Sequence, residues 1–247
     1  MRLERKVAFV TGGGGEIAAA IAGRFLEHGA AVALFDVNSA LLQKVSNVLG
    51  GERRRLTALT GDVRDLEAVE RAVAETEKLF GGIDVLVNCA GVLDHMPIDQ
   101  LPVAAWEKVI GINLTGTFVA CKAVVPGMKA RSAGHIINIS SLGGRTGRPG
   151  VGVDYAASKA GVIGLTQTLA RELGTFNITV NSIAPGPLRG QMTSQLEPEK
   201  LKVLLSNACV PRLGTMDDIA YAAVFLASDE SGWVTGEVLD VNGGIFV

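Results

Sequence analysis

What most limits the fold of this chain is an alternation: short, continuously apolar runs rich in Val and Ile, separated by longer stretches of helical period. The strand candidates are KVAFV, AVALF, RLTALT, IDVLVN, HIINIS, NITVNSIA and EVLDV. Between them, residues 16–28, 38–49, 65–79, 102–130, 154–174 and 216–228 read as amphipathic crossover helices. A strand that is apolar at every position, rather than at every second one, suits a parallel sheet covered on both faces. No linker, low-complexity tract or charge block divides the 247 residues, and 48% hydrophobic content is enough for one large core. The expectation is therefore an α/β protein in which residues 1–247 form a single domain, a doubly wound parallel sheet with helices on both faces.

Charge and composition narrow the function classes. Net charge is −2 and no Lys/Arg stripe stands clear of neighbouring acids, so nucleic acid is not expected as a partner and the ligand is expected to be small. No stretch reads as the roughly 20 apolar residues that a membrane helix needs, and MRLERKVAFVTGG runs into folded-looking sequence without a cleavable signal. No membrane association and a cytoplasmic location are expected. Cys89, Cys121 and Cys209 are far apart and read as reduced, mostly buried thiols. They share no ligand spacing with His28, His95 or His135, so no metal site is expected. The least regular stretch, 185–212, is punctuated by proline and reads as a substrate lid over the strand ends.

The stretch TGGGGEIA at 11–18 falls between the first strand and the first helix, where main-chain N–H groups and a positive helix end can face a diphosphate. Gly12, Gly14 and Gly15, with the main chain of Glu16 and Ile17, are the candidate cradle. Asp36, with Val37 beside it, closes the second strand some twenty residues on, where a carboxylate can bind both ribose hydroxyls of adenosine and repel a 2′-phosphate. This favours NAD over NADP. Glu16 is the anomaly. As a first-turn acid it gains ~0.3–1 kcal/mol from the helix dipole. Facing the diphosphate it would cost up to a few kcal/mol at ~4 Å and an effective dielectric of about 20. A carboxylate turned aside is expected.

Further on, GDV at 61–63, NCAG at 88–91, Asn113 in GINLTGTF, Ser141 in INISS, Tyr155 and Lys159 in YAASK, and PGPL at 185–188 follow in order. With TGGGGEIA, these motifs resemble the short-chain dehydrogenase/reductase family over nearly the whole chain, which implies a Rossmann-like fold. The resemblance implies cofactor contacts from Asp62, Val63, Asn88, Ala90, Gly91, Pro185, Gly186 and Leu188, besides Tyr155 and Lys159. There are departures. Glu16 and Ala18 replace two family glycines, Cys89 replaces an asparagine, and Gly190 stands where many relatives carry a threonine that bonds the nicotinamide carboxamide.

Tyr155 and Lys159 are four residues apart, so a helix places them on one face. An ammonium and an oxidised nicotinamide both favour the phenolate, which makes Tyr155 a candidate acid/base and Lys159 its tuner. Ser141, fourteen residues before Tyr155, is the candidate hydrogen-bond donor to the substrate oxygen. The family interval is one residue shorter, which leaves Ser140 as the alternative. The resemblance implies that Asn113 distorts its helix and holds a water that relays protons to Lys159; without it, Asn113 reads as a surface or capping residue. Asp154, Arg145 and Arg148 read as solvated loop charges.

The functional expectation is an NAD(H)-dependent oxidoreductase that interconverts a secondary alcohol and a ketone. Alternatives are a 3-oxoacyl-thioester (acyl-carrier-protein) ketoreductase and a non-catalytic dinucleotide-binding regulator. The resemblance implies a homotetramer assembled through the helices holding Asn113 and Tyr155 and through WVTGEVLDVNGGIFV. Leu93–Met96, Leu142–Gly144 and Val151–Val153, mostly apolar or small, are expected to line the pocket with the lid; they do not single out one alcohol or ketone.

Overall fold

The computed structural model describes residues 1–50, 55–93, 95–147, 151–190, 193, 199 and 205–246. Seven strands form one parallel sheet: β1 (Val7–Thr11), β2 (Ala31–Asp36), β3 (Leu56–Thr60), β4 (Val85–Asn88), β5 (Gly134–Ile139), β6 (Ile178–Pro185) and β7 (Val238–Val241), in the order β3-β2-β1-β4-β5-β6-β7. Every strand coincides with one of the apolar runs. The reversal of strand order between β1 and β4 is the doubly wound arrangement, with crossovers to both sides.

The strands are continuously apolar because neighbouring residues serve different cores. Ala8, Val10, Val32 and Leu34 face α1 (Glu16–Glu27) and α8 (Met216–Ala227), meeting Ile21, Phe25, Ile219 and Val224. Val7, Phe9, Ala33 and Phe35 face the other way, toward Val69 and Val73 of α3 (Leu66–Phe80), Val124 and Met128 of α5 (Gly116–Arg131), and Leu173 of α7 (Val153–Leu173). Fully burying one such side chain stabilises by about 1.5–3 kcal/mol, so a polar residue at almost any strand position would be felt.

Helix starts follow local chemistry. Asn38 caps α2 (Ser39–Leu49) by accepting from the Leu41 N–H, and Asp65 caps α3 by accepting from Ala68. Thr215 and Asp218 form a reciprocal capping box on α8. α1, whose N-cap is Gly15, has no side-chain cap, as is also true of α4 (Val103–Ile110) and α7. The first N–H groups of α1 open toward the carboxyl ends of β1 and β4.

The long stretch at 102–130 is α4 (Val103–Ile110), a π turn (Gly111–Thr115) and α5 in unbroken succession. By length and averaged hydropathy this run could cross a bilayer, contrary to the sequence reading. Its Val109, Asn113, Ala120, Val124 and Met128 are instead buried within the fold, as in a core helix of a sheet protein. A short helix that sequence did not suggest, α6 (Leu142–Thr146), follows β5. Cys121 is buried and Cys89 half-buried, but Cys209 is exposed, which corrects the expectation for that thiol.

At the amino end of the sheet, opposite the glycine turn, a cavity of about 270 Å³ is lined in part by Lys6, Asp84, His135, Thr179 and Asp229. His135 Nδ1 lies 2.9 Å from Thr179 Oγ1, and Lys6 pairs with Asp229 at 2.7 Å. Burial first, then the Lys6 charge, pushes the imidazole down to about 4. The folded protein thus resists a proton that the unfolded chain accepts from pH ~6.5 downward. This contribution to stability is intact above pH ~6.5 and lost as pH falls toward about 4, by up to about 3 kcal/mol. Replacing His135 with Gln should remove much of that acid-dependent loss. Urea unfolding at pH 7 and pH 4.5 measures it, and equal losses in both proteins would assign the acid sensitivity elsewhere.

Candidate active site

Parallel strands bring their carboxyl ends to one edge, and most of the singled-out residues collect there. The glycine turn lies between β1 and α1. Gly12 has φ +68°, and a Cβ on it would come within 2.7 Å of main-chain atoms of Ala90. Only glycine fits, because the turn is pressed against the end of β4. Asp36 ends β2 with both carboxylate oxygens engaged: Oδ2 accepts from the Gly14 N–H at 3.0 Å and Oδ1 from the Asn38 N–H at 2.9 Å. A glycine turn, an uncapped helix start and a fixed carboxylate fit the diphosphate and adenosine ribose of a dinucleotide. Gly15, Glu16 and Ile17 form that helix start. Val37 projects largely into solvent next to Asp36.

The remaining expected contacts divide into open and committed groups. Asp62 is gripped by the Arg64 guanidinium, which holds its carboxyl below the usual range. The Val63 side chain is spent in the core, where a Cβ on Gly116 would meet it at 2.6 Å. Asn88 is likewise buried: its Nδ2 donates to Asn138 Oδ1 at 2.8 Å, and Asn138 donates in turn to Thr166 Oγ1 at 2.8 Å. Ala90 and Cys89 donate their N–H groups to Thr11 Oγ1. A Cβ on Gly91 would approach both Asn113 Oδ1 and Lys159 Nζ at 3.4 Å. Pro185 ends β6, the Gly186 N–H donates to Val241 O, and Leu188 bridges to Gly214. Of the expected lid, residues 191–192, 194–198 and 200–204 lie outside the described residues.

Glu16 does not simply turn into water. It is exposed, yet its Oε2 lies 2.6 Å from where a Cβ on Gly190 would be, with Met216 Cε at 2.7 Å from the same point. The side chain reaches from the start of α1 to the segment that follows β6.

Tyr155 and Lys159 share the inner face of α7, and Lys159 Nζ is 5.7 Å from the centre of the tyrosine ring. Ser141, the N-cap of α6, hydrogen-bonds the Tyr155 phenol. Ser140 instead donates to Lys159 O at 2.9 Å, so Ser141 is the one that meets the tyrosine. Lys159 is buried, with Nζ donating to Ile139 O at 2.7 Å, and burial pulls its ammonium down to about 8. Burial also pushes the phenol above its ordinary value, while the Ser141 hydrogen bond pulls it back. The sequence reading had Lys159 lowering the phenol; here desolvation dominates and the lowering influence comes from Ser141. Burial pushes the Cys89 thiol up to about 12, which makes it a poor nucleophile.

Asn113 sits in the π turn and is fully buried, so the resemblance, not the surface reading, matches its place. Its Oδ1 accepts from the Val92 N–H at 2.8 Å, while Nδ2 donates to Val92 O at 2.9 Å and Ser158 Oγ at 3.0 Å. Ser158 Oγ donates to Tyr155 O at 2.7 Å. Sequence reasoning did not single out Ser158, which gives only a helical period as signal. Two charges need correction. Asp154 is 1% exposed, not solvated: Oδ1 accepts from the Tyr155 N–H at 2.8 Å, and Oδ2 is buried with no hydrogen-bond partner among the described residues. Arg145 pairs with Asp240 at 3.1 Å and lies over the Phe246 ring. Arg148 lies outside the described residues.

Known proteins share this arrangement. A family model described as enoyl-(acyl carrier protein) reductase matches residues 14–245. The chain is 39% identical to the 3-oxoacyl-[acyl-carrier-protein] reductase of Vibrio harveyi, over 100% of both chains. It is 38% identical to the (3R)-3-hydroxyacyl-CoA dehydrogenase of Mus musculus, over 100% of this chain and 98% of that one. The crystal structure of 3-oxoacyl-[acyl-carrier protein] reductase from Brucella melitensis ATCC 23457 superposes with a TM-score of 0.92 at 34% identity, covering 100% of this chain and 94% of that one.

Asn113→Ala would strand the Val92 N–H and C=O, both bonded to the removed amide. At about 1–3 kcal/mol for each unsatisfied buried group, discounted for partial exposure, the unfolding free energy should fall by about 2–4 kcal/mol. Denaturant titration reads this, and a loss under 1 kcal/mol would show that the clamp contributes little.

Proposed function

The chain belongs to the short-chain dehydrogenase/reductase family, and from that premise we propose that it is an NAD(H)-dependent oxidoreductase acting on a secondary alcohol or ketone placed β to a thioester. The observation that carries the reading is the Ser141–Tyr155–Lys159 cluster at the edge where the glycine turn and Asp36 also lie. When bound, the nicotinamide accepts or supplies the hydride at the alcohol carbon. Tyr155 takes the hydroxyl proton in oxidation and returns it in reduction, and Ser141 donates to the same oxygen as charge develops. Lys159, held by Ile139 O beside the ring, favours the phenolate through its charge. Asn113 and Ser158 hold the strand-end loop at Val92 and the backbone at Tyr155 in fixed relation.

Asp36 supports NAD over NADP. Its carboxylate is pinned by two main-chain N–H groups, and Arg64, nearby in sequence to the end of β3, is committed to Asp62. The thioester class rests on the relatives, whose names specify 3-oxoacyl-carrier-protein and 3-hydroxyacyl-CoA substrates. The (3R)-3-hydroxyacyl-CoA dehydrogenases among the relatives support coenzyme A thioesters. The carrier-protein reading stays second because several of the relatives bear that name. A purely regulatory binder would have no use for the assembled Ser/Tyr/Lys cluster. Assembly as a homotetramer is supported by apolar side chains left outside: Trp106 and Phe118 on α4 and α5, Val153 on α7, and Trp233, which is 99% exposed.

Three outcomes test the reading. NADH consumption with acetoacetyl-CoA should fall about a hundredfold or more in Tyr155→Phe while NADH binding persists; near-normal turnover would remove Tyr155 from the chemistry. The unmodified enzyme should prefer NAD(H) over NADP(H) by about 10- to 100-fold in kcat/KM, and Asp36→Ala should narrow the gap; equal efficiencies would refute the cofactor assignment. Light scattering at micromolar concentration should give a tetramer, and Phe118→Glu together with Trp233→Glu should give smaller species. A monomeric unmodified protein would overturn the assembly.

A further inference from the structure

Ser141 is carried by a helix too short to hold itself. α6 has five residues, far below the length at which a helix is stable alone, so the aim of its N-cap hydroxyl depends on what the helix is fastened to. Ser141 Oγ accepts from the Gly143 N–H at 3.0 Å, which leaves its proton for the Tyr155 phenol. Two fastenings are internal. Leu142 is buried, and Gly144 is pressed so closely on α7 that a Cβ there would come within 2.6 Å of the Lys159 carbonyl carbon. Arg145 supplies the third.

The Arg145 guanidinium reaches the C-terminal segment, with Nη2 3.1 Å from Asp240 Oδ2 and Cζ 5.1 Å from the centre of the Phe246 ring. Both partners are themselves fixed. Asp240 lies in β7, in register with Ala184 of β6. Burial pushes its carboxyl up and Arg145 pulls it back, while Oδ1 is buried with no hydrogen-bond partner among the described residues. Beyond β7 the chain doubles back at Gly243 and Gly244, with φ of +68° and +75°. The Gly244 N–H donates to Asn242 Oδ1 at 2.8 Å, and Asn242 Nδ2 donates to Phe246 O at 3.2 Å, which closes the segment into a hook. Gly243 O accepts from the Val210 N–H at 2.8 Å, so the hook is also tied to the stretch that returns from the expected lid.

We propose that Arg145 is the positioning residue for Ser141: clamped between Asp240 and the Phe246 ring, it fixes α6 and keeps the serine hydroxyl aimed at the Tyr155 oxygen and at the substrate oxygen beside it. The proposal rests on the acid/base reading of Tyr155 above. It gives the C-terminal segment a part in the chemistry without contact with the reacting atoms, because an ion pair and a stacked ring at one end of a short helix set the direction of a hydroxyl at the other.

Tyr155 and Tyr221 are the two tyrosines of the chain, and Tyr221 is exposed. In a Tyr221→Phe background, carbon-13 NMR of tyrosine labelled at Cζ therefore follows the Tyr155 phenol alone, with no substrate and no turnover. Lys159 on α7 and Cys89 just after β4, whose charges bear on this ring, stay the same in every variant. Arg145→Met should raise the pH at which the phenol ionises by at least about half of the rise caused by Ser141→Ala, since a hydrogen bond that favours the phenolate is lost. Asp240→Asn, which frees the guanidinium, should raise it too, whereas loss of the Asp240 charge acting through space would lower it. Arg145→Lys, which keeps the pair but not the flat stacked face, should fall between Arg145→Met and the unmodified protein. With acetoacetyl-CoA, Arg145→Met should lower kcat about tenfold at unchanged NADH affinity, and by less than about twofold when Ser141 is already alanine. A phenol unmoved in Arg145→Met or lowered in Asp240→Asn, or an equal loss of kcat in both Ser141 backgrounds, would overturn the proposal. If Arg145→Met does not fold, Asp240→Asn and Arg145→Lys carry the comparison. A raised phenol in an enzyme that does not turn over acetoacetyl-CoA would support the positioning role and refute the substrate reading alone.

Discussion

Parallel pairing is the constraint on which the rest of this molecule depends. Each strand must be followed by a crossover, so every strand finishes at the same edge, and both faces of the sheet disappear beneath helices. The edge where β1, β4, β5 and β6 end is then the place where polar groups can gather without disturbing the cores. Asp36, Gly91, Ser141 and Leu188 come from distant parts of the chain, yet all lie at or just beyond strand ends.

Within that frame, buried amides fix what helix packing alone would leave loose. Asn113 ties the loop after β4 to α7 through Val92 and Ser158, while Asn88, Asn138 and Thr166 form a second polar row inside the apolar layer between sheet and helices. Both rows are nearly closed, so their cost of burial is largely offset. Asn88 Oδ1 in the second row and Asp154 Oδ2 beside Tyr155 are buried without a hydrogen-bond partner among the described residues.

The sheet was legible because its signal is local: seven apolar runs and the helical periods between them survive as strands and helices. Tyr155 with Lys159, and the glycines with Asp36, were legible because their spacing lies within one element or one crossover. What was hidden depends on contacts between distant segments. Asp154 and Arg145 look like loop charges until α7 buries one and β7 and the tail engage the other. The reach of Glu16 to Gly190 joins the start of α1 to the segment after β6, which nothing in either stretch of sequence connects. The 102–130 stretch misled in another way, since Glu107, Lys108 and Lys122 interrupt it as a run while its average stays apolar.

The π turn between α4 and α5 gives this long helix an unusual relation to chain length. A π turn holds one residue more than the regular helix, so deleting any one of 111–115 would restore ordinary i to i+4 bonding locally. The wide turn takes up the extra residue locally, so Val124 and Met128 keep the buried face and Phe118 the exposed one. What the extra residue changes is confined to 111–115, where the Asn113 amide is offered to Val92 and Ser158. Chain length at this point is thus tied to the edge where the site lies rather than to the two cores.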